Sequence, residues 1–415
     1  MKRGGGWGLV LITCAALGCS APSDGAGRDA GTRDGASDAA RDAADAADAP
    51  APVCGNGIVE AGEACDDGAN ADRFDGCLPD CTAWPLAMGT PLDPTPDRTW
   101  QWIPIEGARC RNGSQAGFGL SRSSGSRNLM IYLEGGGACF NSLCDVTAFD
   151  TPFVPPIDGI FDRLGPGNPV AEWNMVYVPY CTGDVHAGDA TDVVIDTATG
   201  PITSQFVGYR NIGLFLERLV PTFRDADQVL LTGISAGGFG AALNGERTQE
   251  AFGPVPVILL DDSGPPMSTA AIPTCLQHTF RTTWNFDATF LALCGSDCPN
   301  ADDWVLDYLH HVEGVFAHRG LGLVSNTQDM VIRTFYGFGA NDCMGGVVDG
   351  TVYQNELLAI RADRTPGDLF GTYYVTGIGH TFLRTPSFYL TGVGGTPLTN
   401  WVADLLAGHP TQVGP

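Results

Sequence analysis

Six short apolar runs, each closed by glycines or by a polar residue, constrain this chain more than any other feature. They span residues 128–133, 174–180, 228–232, 255–260, 321–325 and 371–376. The motifs that follow them are Glu134-Gly135-Gly136-Gly137, Asp184, Gly233-Ile234-Ser235-Ala236-Gly237, Asp261-Asp262-Ser263-Gly264, Asp329 and His380. Nearly continuous hydrophobic runs of this length fit strands covered on both faces, whereas a half-exposed strand would alternate. Helical patterning lies between them, clearest over residues 208–223, with Leu214, Leu216, Leu219 and Val220 as apolar positions. Strands alternating with helices build a mostly parallel α/β sheet, whose chemistry sits outside the carboxyl ends of the strands. Every motif above falls at such an end. Hydrophobic residues reach 44% against 17% charged, with 56 glycines and 28 prolines, which suits a loop-rich mixed fold and not a helical bundle. One domain is expected over residues 84–415.

The third run leads straight into Gly-x-Ser-x-Gly and then into a small-residue helix start, Gly238-Phe239-Gly240-Ala241-Ala242-Leu243. Strand, tight turn and helix are the setting of a nucleophile elbow, which predicts Ser235 as a nucleophile near the positive end of a helix. The glycine run predicts an oxyanion hole from the amides of Gly136 and Gly137, with Ala236, the residue after the nucleophile, as the second donor. This points to an α/β-hydrolase fold, in which the triad runs serine, acid, histidine along the chain. Of seven histidines, His186 precedes the serine. His278, His310, His311 and His318 fall in a long insertion that reads as a cap, and His409 lies near a loose terminus. His380, after the last strand, is the predicted base. Asp329 is the predicted acid, with Asp262 and Asp342 as alternatives. Such chemistry needs no cofactor and no metal.

The amino-terminal region reads differently. Lys2 and Arg3, a short apolar stretch over 7–18 and Ala16-Leu17-Gly18-Cys19 form a lipoprotein-type signal over residues 1–19, with Cys19 as the expected lipidated residue. Residues 20–53, with seven aspartates, three arginines and no aromatic residue, read as a disordered tether. Residues 54–81 pack four cysteines, five glycines and seven acids into a module too poor in apolar matter for its own core. Asp66, Asp67, Asn70, Asp72 and Asp75 there offer hard oxygen ligands suited to calcium, but the loop does not fit the EF-hand pattern, and acidic turns held by two disulfides account for them equally well. Twelve cysteines from Cys54 onward, in a chain with an export leader, predict disulfides of unassigned pairing. Zinc is disfavoured, since no histidine set accompanies the close cysteine pairs. A net charge of −25 without a Lys/Arg cluster excludes a broad nucleic-acid surface.

Taken together, Tyr132-Leu133-Glu134-Gly135-Gly136-Gly137-Ala138-Cys139-Phe140-Asn141, Leu231-Thr232-Gly233-Ile234-Ser235-Ala236-Gly237-Gly238, Asp262-Ser263-Gly264 and the Asp329 region resemble the pectin acetylesterase family over roughly residues 100–382. The module at 54–81 resembles a short cysteine-rich repeat of exported myxobacterial proteins. The family resemblance implies an α/β-hydrolase fold and a serine carboxylesterase acting on O-acyl esters, with O-acetyl groups of a polysaccharide among them. It implies Ser235, Asp329 and His380 as the triad. A peptidase or polyester depolymerase with the same triad, and a binding protein on the same scaffold, remain open alternatives. The expected location is the outer membrane or cell surface, with membrane contact through Cys19 alone, or free secretion.

Overall fold

A computed structural model describes residues 52–66, 68, 74, 77–78, 80–82, 89–142, 144, 154–197, 199–363 and 369–415. The leader with Cys19, the tether up to residue 51, and Asp67, Asn70, Asp72 and Asp75 lie outside the described residues. Among the described residues, no helix is long and apolar enough to cross a membrane. Val53–Pro415 is one compact unit, so the cysteine module and the sheet share it.

The strands are β1 (Gln101–Arg109), β2 (Gln115–Ser121), β3 (Leu129–Leu133), β4 (Asn174–Val178), β5 (Ala190–Thr197), β6 (Gly200–Phe206), β7 (Val229–Ile234), β8 (Val257–Asp262), β9 (Leu321–Asn326), β10 (Phe370–Val375), β11 (Gly392–Val393), β12 (Thr396–Pro397) and β13 (Gln412–Val413). Among the described residues, nine of them form one sheet in the order β1-β2-β4-β3-β7-β8-β9-β10-β13. From β4 through β13 the pairs are parallel. Within this sheet, β1 with β2 and β2 with β4 run antiparallel. Separate two-stranded ladders are formed by β5 with β6 and by β11 with β12. This is the α/β-hydrolase arrangement with a mostly parallel central sheet.

The continuous apolar runs have the expected physical origin. On β7, Leu231 enters the core containing Phe215 and Trp284, while Leu230 enters the opposite core with Tyr132 and Trp401. Both faces are covered, so successive residues are apolar. Burying each such large side chain contributes about 1.5–3 kcal/mol. Helix Gly208–Thr222 lies over the first core, with Phe215 edge-on to Phe118 at 5.3 Å. Helix Leu398–Leu406 covers the second with Trp401 against Tyr373 at 5.6 Å.

The first two strands of the sheet escaped the sequence reading. β1 mixes exposed and covered residues, with only Ile105 and Ala108 buried, and β2 is interrupted by Gly117 and Gly119. A Cβ on Gly117 would stand 2.2 Å from the Ile103 carbonyl oxygen, so the close pairing of β2 with β1 requires glycine there. The carboxyl terminus also differs from expectation. It is not loose: β13 pairs with β10, and Arg361 donates to the carbonyls of Val413 (2.8 Å) and Gly414 (3.2 Å).

Six disulfides pair Cys54–Cys81, Cys65–Cys77, Cys110–Cys181, Cys139–Cys144, Cys275–Cys343 and Cys294–Cys298. In the module, the Asp66 carboxylate accepts the amides of Gly55 (2.9 Å), Asn56 (3.2 Å), Gly57 (2.9 Å) and Gly68 (2.9 Å). Desolvation pushes its carboxyl up, but the four amides together outweigh that and hold it below the usual range. Asp66 thus acts as a backbone staple of the module. Phe74 is buried beneath the Arg319 guanidinium, whose centre is 5.1 Å from the ring, and so seats the module on the main body.

Candidate active site

Strand register brings the polar motifs to one edge. Leu133 pairs with Gly233, Ile234 with Asp262, Asp262 with Val324, and Asn326 with Val375. The residues that follow therefore stand level at the carboxyl ends of neighbouring strands.

Ser235 sits at φ 54°, ψ −122°, between β7 and helix Ala236–Leu243. A side chain rarely adopts a positive φ, and the cost is about 1–3 kcal/mol, held by the surroundings. The surroundings here are tight. The Ser235 amide donates to the Asp262 carbonyl at 2.8 Å, and the Phe239 amide donates to the Ser235 carbonyl at 3.1 Å. A Cβ on Gly237 would come within 2.0 Å of the Leu133 carbonyl oxygen, so the helix start lies against the end of β3 and tolerates only glycine. Ala236 is the first residue of this helix, where backbone amides have no intrahelical acceptor.

The glycine run crosses in front of this elbow. A Cβ on Gly135 would meet the Ser235 Cβ at 3.1 Å, and one on Gly136 would meet the Tyr180 ring at 2.5 Å. Gly136 and Gly137 are exposed. Residues after β4 hold this loop from behind. Glu134 accepts from the Tyr180 amide at 3.0 Å through its side chain. Its carbonyl lies 2.8 Å from His186 Nε2. A carbonyl only accepts, so Nε2 carries the proton. Burial pushes the His186 imidazole down to about 4, and it stays neutral near pH 7. Beyond the glycines, the Cys139 amide donates to Gly183 (2.7 Å) and its carbonyl accepts from Trp284 Nε1 (2.9 Å). Sequence order had set His186 aside as a base, and its supporting place behind the glycine loop had no local signature.

His380 follows β10, with Nδ1 2.8 Å from Asp329 Oδ2. Asp329 is fully buried, and its other oxygen accepts the amides of Val331 (2.9 Å) and Ile332 (3.0 Å) as the cap of helix Met330–Tyr336. One carboxylate oxygen is thereby fixed, leaving the other to face the imidazole. Of the alternative acids, Asp342 is exposed in a turn beside the Cys275–Cys343 bond. Asp262 is buried, but its side chain binds the amides of Phe382 and Leu383, each at 2.7 Å. Two histidines of the insertion pair elsewhere: His310 with Asp363, and His311 with Glu246 and Asp297.

The insertion between β8 and β9 carries helices Thr274–Thr283, Phe290–Cys294 and Trp304–Val315. Phe280 stacks on Trp284 at 4.8 Å, and Phe140 of the glycine loop meets Phe280 edge-on at 5.0 Å. Behind the nucleophile helix, a cavity of about 80 Å³ is lined by Phe239, Trp284, Tyr308, Phe335, Tyr336 and Asp261, among others. Burial above all, and then the neighbouring Asp262, push the Asp261 carboxyl up.

A strained serine elbow, a glycine loop beside it and a late histidine bonded to a buried carboxylate, on this sheet, define the chain as an α/β-hydrolase-fold protein. Comparison with known proteins narrows the class. The pectinacetylesterase family model matches residues 103–300 of the chain. The palmitoleoyl-protein carboxylesterase NOTUM of Mus musculus is 35% identical over 156 residues, which is 34% of this chain and 29% of the mouse protein. The Drosophila melanogaster protein of the same name is 29% identical over 157 residues, 34% of this chain and 23% of its own length. The chain thus spans under a third of the length of these curated relatives. A crystal structure of the Wnt deacylase Notum from Drosophila superposes with a TM-score of 0.58 at 18% identity, over 76% of this chain and 95% of that one. That likeness is one of fold.

Proposed function

We propose that the protein is an exported serine carboxylesterase that hydrolyses O-acyl esters through Ser235, His380 and Asp329. The observation that carries this is the 2.8 Å bond from His380 to buried Asp329, level with a serine held at positive φ. A serine hydroxyl is a weak nucleophile until a base activates it. In this reading His380 Nε2 takes the Ser235 proton as Oγ attacks the ester carbonyl, and Asp329 fixes the tautomer through Nδ1. The amides of Ala236 and of Gly136 or Gly137 receive the oxyanion, a contribution of roughly 3–4 kcal/mol per donor. His380 returns the proton to the leaving alcohol, and water repeats the cycle on the acyl-enzyme. The pectinacetylesterase family match makes acetyl groups on a polysaccharide the first substrates to test. The curated relatives are named for removing a longer acyl group from protein, which makes palmitoleoyl esters the second. Six disulfides and the leader support export, with lipidated Cys19 as the anchor.

A fluorophosphonate probe tests the nucleophile. The adduct is expected on Ser235, and lost in S235A and H380A. Acetyl, butyryl and longer acyl esters, run in parallel, rank the acyl chains. Folded protein with an unlabelled Ser235 and no ester hydrolysis would overturn the assignment.

A further inference from the structure

Asp262 touches both halves of the site from opposite ends of one residue. Its carbonyl accepts the Ser235 amide at 2.8 Å, which ties the main chain at the end of β8 to the strained elbow. Its side chain reaches the other way. Oδ2 accepts the amides of Phe382 and Leu383, each at 2.7 Å, and Oδ1 accepts the Ser263 hydroxyl at 2.9 Å. Ser263 Oγ in turn accepts the Thr381 amide at 3.3 Å. The three residues immediately after His380 are therefore all held by the Asp262-Ser263 pair. They need holding, because Thr381 is at φ 61° and Ser263 at φ 66°, where side chains are strained. His380 is fixed from two sides, its ring by Asp329 and its backbone by Asp262.

We propose that Asp262 is a positioning residue, which sets the separation of Ser235 from His380 by binding the elbow through its backbone and the histidine loop through its carboxylate. The proposal rests on the serine-esterase reading above. It gives the unused carboxylate of the Asp-Ser-Gly motif a role distinct from that of the triad acid.

A pH signature follows. The groups acting on this carboxylate are Asp261 on the same strand, Tyr132 on β3 and His380. Burial pushes the Asp262 carboxyl up to about 6, against the lowering by its hydrogen bonds and by His380. Below that pH it gains a proton, and an oxygen that carries a proton no longer accepts freely from two amides. The clamp is present above about pH 6 and weakens as pH falls through that value. The acid limb of kcat then carries a proton on Asp262 beyond the one that a general base takes up.

The test uses the full chain, with D262N and S263A against wild type. The readouts are the fluorophosphonate labelling rate, kcat and KM for 4-nitrophenyl acetate from pH 4.5 to 8, and the thermal midpoint. D262N keeps the shape but lacks an anion. It is expected to lower kcat and labelling rate by about 10²-fold, the scale of a misplacement of the order of 1 Å. KM should stay within about threefold, and the acid limb should fall from second to first order in protons. S263A, the milder change, covers the case in which D262N fails to fold. It should cost roughly tenfold in kcat with KM unchanged. Wild-type kcat in D262N with the two-proton limb retained would overturn the proposal. So would a loss that tracks only the thermal midpoint and vanishes below it. A wild-type Ser235 that takes no label would sink the esterase reading itself, and this proposal with it. A labelled wild type with unaffected variants sinks only the role of Asp262.

Discussion

Replacing His186 by glutamine removes a titrating group from behind the glycine loop and leaves a hydrogen-bond donor for the Glu134 carbonyl. His186 is 3% exposed, and its imidazole lies tilted against the Tyr180 ring at 4.7 Å between centroids. Burial has pushed it down to about 4 in the folded chain, against about 6.5 in the unfolded one. As pH falls below about 6.5, the unfolded chain binds this proton first. The stability tied to neutral His186 is thus complete above about 6.5 and is lost as pH falls toward and through about 4. Linkage gives a loss of about 1.4 kcal/mol at pH 5.5 and about 3 kcal/mol at pH 4. Asp184 and Asp262, both raised to about 6 by burial, act with the opposite sign as pH falls from about 6 to 4. Wild type alone would therefore look deceptively flat. Both aspartates are present in wild type and variant, so they cancel in the difference. Urea unfolding of wild type and H186Q at pH 7, 5.5 and 4 isolates the histidine. The variant should be the less stable at pH 7, by about 1 kcal/mol of packing, and should gain about 3 kcal/mol relative to wild type by pH 4. A difference constant within about 0.5 kcal/mol across that range would refute a neutral, buried His186.

The other predictions concern the site and its frame. Asp329→Asn should preserve the fold, read by circular dichroism, and lower turnover by about 10³–10⁴-fold, because the amide cannot hold the same imidazole tautomer. Gly136→Ala pushes a methyl group to 2.5 Å from the Tyr180 ring, and should lower kcat by about 10²-fold with KM nearly unchanged in ester assays. Gly237→Ala meets backbone instead, 2.0 Å from the Leu133 carbonyl, and should lower the thermal midpoint or abolish soluble protein, a cost above about 3 kcal/mol. Six disulfides account for all twelve cysteines from Cys54 onward. Titration of residues 54–415, unfolded without reductant, should find no thiol, and reduction should release the 54–81 module first. Two or more thiols before reduction would contradict the pairing.

Much of this molecule is written locally. The buried strands were legible because both faces of β3, β7, β8 and β9 are covered, and an uninterrupted apolar run has few other uses. The turn at Ser235 was legible because its flanking glycines answer steric demands of their immediate neighbours. Helix Gly208–Thr222 was legible from its own periodicity. β1 was not, because an edge strand half open to solvent lacks the double covering that makes the pattern continuous, and β2, though buried, has its apolar run broken by Gly117 and Gly119.

The partnerships of the site belong to the tertiary structure. Sequence ranked Asp329 ahead of Asp262 and Asp342 by strand order alone, with no view of their partners. Asp329 meets His380 across 51 residues of chain, and Asp262 meets the loop after it across 120. His186 reaches Glu134 across 52 residues, and the cysteines pair over separations from 4 to 71. Side-chain type and periodicity fix which face a residue turns toward the core. Strand order, register and loop path fix which distant residue waits there, and these follow only when the sheet closes.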